Sequence, residues 1–289
     1  MIFYKIDFKN NSIKEKLNIM NLPSEPRFSH FKDKCIFCER KNIPMSREHI
    51  FPQWLLKRTK TRKEPISWIN GKVPASNCTI PICGECNSQL GTKLEGHISE
   101  IFDSIENGKG FNDYEAELLV RWIWKINGMF YWSICNNNLK YGVNTLKDRV
   151  LSKIESPRNR ISIAISLIED SEEQYETSPI GLDAFAIYSN VYCAGVFSKI
   201  SIAVIYTEFI GFVDKNKWTI YTLSAVPLMM NPSYKIFPKL GFKTGSEAIA
   251  DTKLKFGNNS VIFYQHELKA YKQKTIFEKL LNETQIKKC

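Results

Sequence analysis

The chain has 289 residues, 43% of them hydrophobic and 24% charged, and a formal net charge of +10. That composition excludes a disordered tail or a fibrous chain, and at one domain per ~150 residues it provides for about two domains. No apolar run approaches the ~20 residues that span a bilayer, and the opening MIFYKIDFKN interleaves charges with apolar groups, so a cytoplasmic protein is expected, neither membrane-bound nor secreted.

Taken in chain order, residues 1–30 read as a lead-in with one edge strand, IFYKIDF, and a loop ending in NLPSEP. Residues 31–110 form a cysteine-containing module. Within it the piece ending at Glu48 and His49 reads as a strand, with a second strand near 77–82 and a helix opening at the GECN of 84–87. Residues 111–289 read as an α+β accessory domain. It begins with a long, very apolar helix over about 112–136 and continues with β-branched and aromatic runs at 161–168, 184–197, 201–213 and 217–226. The DKNK of 214–217 reads as a hairpin turn joining the last two runs, and a final helix is expected within SVIFYQHELKAYKQKTIFEKLL.

Charge is distributed unevenly. Residues 31–75 carry eleven basic and four acidic groups, whereas residues 76–289 carry twenty-four and twenty-three. A local excess of this kind is the footprint expected for a polyanion, nucleic acid first among them; a merely solvated surface is the alternative. The run KRTKTRK contributes Lys57, Arg58, Lys60, Arg62 and Lys63, with Arg47 and Lys93 as weaker phosphate contacts.

Five of the eight cysteines fall between positions 35 and 86. Cys35 and Cys38 make one C-x2-C, and Cys83 and Cys86 another. Two such knuckles about 45 residues apart match a tetrahedral four-thiolate zinc site, which is closed and structural. A disulfide scaffold would need an oxidising compartment. Cys78 reads as a packed thiol.

Between the knuckles stands SREHIFPQWL. On a regular strand Glu48 and His49 point to opposite sides; a turn or bulge near Pro52 would let both approach one centre. On the following helix Asn87, Gly91 and Glu95 recur at i, i+4 and i+8 and share a face, where Gly91 would permit close approach of a substrate or of the facing hairpin. Trp54 and Trp68 read as core plugs.

The order C-x2-C, EHIFPxWL, an Asn, then C-x2-C-N-x3-G-x3-E resembles the HNH endonuclease superfamily, in the subgroup with EHxxPxW and CNxxxGxxxE motifs. The resemblance is specific over roughly 35–95 and fainter in an RW-x-x-K segment, Arg121, Trp122 and Lys125. It implies an α+β protein whose N-terminal part is a zinc-stabilised ββα-metal, treble-clef-like module, followed by a buried helix and a β-rich domain. It further implies a metal-dependent endonuclease acting on DNA, RNA being the open alternative, with His49 as general base. Asn77 would orient that base, with Asn70 close enough to compete. Glu48, Asn87 and Glu95 would hold a catalytic Mg²⁺, Mn²⁺ or Ni²⁺ ion beside the structural Zn²⁺. Asn87 stands where many members of the superfamily have His. A homo-oligomer, or a partner protein in an antiviral defence or mobile-element system, would be in keeping with the family. The competing reading is a non-catalytic zinc module that binds nucleic acid or docks a partner.

Overall fold

The computed structural model describes residues 34–68, 71–135, 145–155, 158–169, 192–226 and 234–252. The expected edge strand in 1–30, the final helix and its His266, Asn70 and the side chain of Trp68 lie outside the described residues.

The N-terminal part is built on a strand pair and a helix. Strand β1 (Met45–His49) is followed by a short helix α1 (Gln53–Arg58), the antiparallel pair β2 (Pro65–Trp68) and β3 (Gly71–Pro74), a 3-10 turn (Ala75–Asn77) and strand β4 (Thr79–Cys83). β4 returns antiparallel to β1 in an unbroken register that pairs Met45 with Cys83 and His49 with Thr79. Helix α2 (Gly84–Leu90) starts directly from β4, because the Cys83 side chain caps it by accepting from the Cys86 N–H. A π-helical turn (Gly91–Glu95) follows, in which the Gly96 N–H donates to the Gly91 carbonyl five residues back, and the chain runs on as α3 (Gly96–Glu106).

Helix α4 (Asp113–Cys135) is the axle of the molecule. Its start is set by a reciprocal cap: the Asn112 N–H donates to Glu115 and the Glu115 N–H donates to the Asn112 side chain. Its apolar side chains are buried from Ala116 through Met129, as the sequence pattern requires, so it is covered on all sides. A short helix α5 (Leu146–Leu151), opened by a Thr145–Asp148 capping box, packs beside it.

A five-stranded sheet completes the fold. Its strands are β5 (Ile161–Ile168), β6 (Tyr192–Phe197), β7 (Ile200–Tyr206), β8 (Thr219–Thr222) and β9 (Lys239–Phe242). The order is β6-β7-β5-β8, and β9 adds to β5 in parallel. Side chains alternate between two cores: Ile163, Ile165, Ile202 and Val204 face the core shared with α4. Ala164, Ala203 and Ile205 face a second core with Phe209, Trp218 and Ala248, the last from helix α6 (Gly245–Thr252). Both faces being covered explains why these strands read as nearly continuous apolar runs.

Two sequence expectations fail here. The run 201–213 is not one strand: β7 ends at Tyr206 and the chain turns into a 3-10 helix (Thr207–Phe212), held by Thr207 Oγ1 donating to the Asn159 carbonyl at 3.0 Å. Residues 214–217 do turn, with the Trp218 N–H on the Asp214 carbonyl. The strands on either side are not a hairpin, because β5 lies between β7 and β8. The arrangement is α+β, with the cysteine-bearing module preceding the helices and a mixed sheet. One buried core runs without a break from Cys35 and Phe51 through Trp122 to Phe197. No helix among the described residues is long and apolar enough to cross a membrane.

Candidate metal centre

Cys35 and Cys38 lie on the turn before β1, Cys83 ends β4, and Cys86 sits in the first turn of α2. Their four Sγ atoms all fall within 4.8 Å of one another, and Cys38 and Cys83 are 3.8 Å apart. A tetrahedron of thiolates at ~2.3 Å from zinc has edges of about that length, so the donor set fits a structural zinc. Backbone donors are aimed at the sulfurs: the Cys83 N–H at Cys35 and the Cys86 N–H at Cys83. Burial pushes the Cys35 and Cys86 thiols up. Burial also pushes Cys38 up, but hydrogen bonds from Arg40 bring it down to about 7. Arg40 in turn pairs with Glu85, which also takes Lys147 at 3.2 Å, while the Lys147 N–H bonds the Phe37 carbonyl; both knuckles are thereby tied to α5. Cys78 is buried and outside the group, its raised value of about 12 the consequence of burial.

The residues expected to form a catalytic centre are differently engaged. β1 carries no bulge, so Glu48 and His49 take opposite faces of the strand. Glu48 is buried and bonds the Lys125 ammonium at 2.5 Å. Glu95, swung in by the π-turn, bonds the same ammonium, and the His49 carbonyl accepts from it at 3.2 Å. Lys125 is completely buried; burial opposes its charge, but the two carboxylates hold its pKa above the ordinary value. Burial pushes Glu95 up while Lys125 draws it down, with a net upward shift. Asn87 donates from its side-chain amide to Ser46 Oγ at 3.0 Å and to the Arg47 carbonyl at 3.4 Å, so it clasps β1. Nothing stands within 4 Å of where a Gly91 side chain would begin, so the facing hairpin makes no close approach there.

The His49 imidazole is half-buried and bonds the Ser76 backbone. Burial first, and the Lys125 charge second, lower its pKa. Asn77 is exposed, and its side-chain oxygen accepts from Ser76 Oγ at 3.4 Å; the neighbouring backbone holds the ring in its stead.

Among the described residues the one group of side chains able to hold a metal ion is the four-cysteine cluster, which contains no histidine. The expectation of a His-dependent, metal-assisted endonuclease is therefore corrected, and with it the classes hydrolase and nuclease and a role in antiviral defence that depended on them. The physical reason is an ammonium group at the point where the carboxylates converge, its positive charge already satisfying the two acids a divalent ion would need. Sequence reasoning noted Lys125 without its role. The available signal was a lysine within the strongly apolar stretch WIWKI of this helix, which demands a buried counter-charge.

The basic residues divide by environment. Arg58 is half-buried, pairs with Asp103 and with Glu106 at 2.8 Å, and lies over the Trp54 ring at 5.5 Å. Trp54 itself packs edge-on against Phe102, as a core side chain does. Lys57, Lys60, Arg62, Lys63, Arg47 and Lys93 are exposed. Compared with protein-family models, with curated proteins and with solved structures, the chain matches none.

Proposed function

We propose that this protein is a non-catalytic, zinc-stabilised nucleic-acid-binding module whose ligand lies against the turn after α1. One observation carries the reading. Lys57, Lys60, Arg62 and Lys63 stand exposed within seven residues, and among the described residues none of them forms an ion pair. Ion pairing is instead confined to Arg58, which anchors the segment to α3. The turn is held from inside by Thr59 and Thr61, whose hydroxyls bond each other at 2.7 Å, both side chains buried. Cations carried on a fastened turn and left without ion pairs suit a phosphate backbone.

The test is a binding titration of labelled nucleic acid across salt concentrations. With four phosphate contacts, log K should fall against log salt with a slope of about −3 to −4. Replacing Lys57, Lys60, Arg62 and Lys63 with Gln should flatten that slope and weaken binding uniformly across sequences. Salt-insensitive binding, or the same slope in the substituted protein, would refute the reading.

A further inference from the structure

A second surface lies just beyond α3, where the chain turns into α4. The segment Tyr234–Phe242 crosses the start of α4, where Phe111 and Ile236 exchange backbone hydrogen bonds at 2.9 and 2.7 Å. Lys235 reaches Glu115 at 2.7 Å, a second tie between this segment and the first turn of α4. The Phe237 ring rests on Gly110: a Cβ there would meet Phe237 Cδ1 at 3.1 Å, and the φ of +71 and +68 at Gly108 and Gly110 lets the loop pass beneath. Thr219 fastens the segment from the other side, accepting from the Lys239 N–H at 2.9 Å and donating to the Phe237 carbonyl at 3.2 Å.

On this fixed backbone three aromatic rings face solvent, with Tyr114 55%, Tyr234 56% and Phe237 60% exposed. Exposed cations stand on the same stretches of chain: Lys109, Lys239 and Lys243 form no ion pair among the described residues. The nearby acids Asp103, Glu106 and Glu115 are each paired. Ion pairs and a hydrogen bond along the last turn of α3 link the patch to the basic turn. Arg58 fastens that turn to Asp103 and Glu106, and the adjacent Ser104 donates to the carbonyl of Gly110, beneath Phe237.

We infer that Tyr114, Tyr234 and Phe237 form a stacking platform for the unpaired bases of a single-stranded nucleic acid whose backbone continues onto Lys57–Lys63. Rings take the base faces, the lysines on the same stretches take phosphates, and no base-edge reader is required. This inference rests on the nucleic-acid reading and deepens it to a class of ligand.

Fluorescence anisotropy of the full chain with a labelled single strand of about 15 nucleotides, and with the matching duplex, tests it. Tyr114→Ser and Phe237→Ser should each weaken single-strand binding roughly five- to hundredfold and leave duplex binding within about twofold, with Phe237→Trp retaining affinity. Unchanged melting profiles would confirm that the variants fold. Single-strand affinity that survives both Ser substitutions overturns the platform while leaving the basic turn standing. So does self-association that Phe237→Ser abolishes without affecting strand binding, which would assign the patch to a second copy of the chain. Failure of the unsubstituted protein to bind either nucleic acid overturns the nucleic-acid reading and the platform together.

Discussion

Lys125 and Glu48 meet at 2.5 Å across 77 positions of sequence, inside the core. The contact joins β1 of the cysteine module to α4, and Glu95 closes it from the second side. Truncating Lys125 would leave two carboxylates facing each other away from water. Lys125→Met should therefore cost about 3–5 kcal/mol, read as a lowered midpoint in denaturant titration. Adding Glu48→Gln and Glu95→Gln to that variant should recover a substantial part, because neutral amides need no counter-ion.

Zinc should be integral to the same module. Cys35, Cys38, Cys83 and Cys86 unite two segments 48 positions apart. Thiol titration of the purified protein should release about one zinc per chain. Chelation, or Cys83→Ser, should melt β1, β4 and α2 first, followed by hydrogen exchange at their amides. Exchange that stays slow after the metal is stripped would show that the knuckles close without it.

The half-buried His49 gives the fold a pH dependence of predictable sign. Burial and the Lys125 charge lower its folded pKa below the ordinary 6.5, so the unfolded chain binds the proton more readily. Stability contributed by neutral His49 is full above 6.5 and is lost as pH falls below that value and through the lower folded pKa. Melting temperatures measured between pH 8 and 5 should drop in the parent and drop less in His49→Phe. Parallel curves for the two proteins would argue that the ring is not desolvated in the fold.

Arg158 performs for the accessory sheet what Lys125 performs for the module. It bonds Asp113 at 2.7 Å and Glu117, both buried, and its Nε donates to the Ser224 carbonyl at 2.9 Å. Tyr221 and the Ser224 N–H complete the shell of Asp113. Arg158→Ala should destabilise by about 3–5 kcal/mol, and Arg158→Lys by less but still measurably, since an ammonium cannot serve both acids in the planar geometry. Calorimetric unfolding of the two variants checks the order.

Local pattern made much of the molecule legible. Two C-x2-C knuckles pointed to one metal cluster, because thiolate spacing on a tight turn leaves few other uses. The long, largely apolar α4 and the β-branched strand β5 were equally readable, since burial on all sides selects such residues wherever they pair. Strand order was not readable: DKNK turns the chain, yet β8 goes to β5, and nothing in a turn encodes which edge lies free. Nor could helical spacing foresee the π-turn at Gly91–Glu95, which changes the direction of Glu95 by inserting one residue into a turn.

The sequence by itself determined that a metal-binding cysteine cluster, a buried axial helix and a concentration of positive charge belong to this chain. Each follows from residue type and near-neighbour spacing. Only the tertiary structure decided what Glu48, His49 and Glu95 do, because a carboxylate serves a metal ion or an ammonium equally well. The choice between them lies with Lys125, a residue brought near only when α4 packs across β1 and the π-turn.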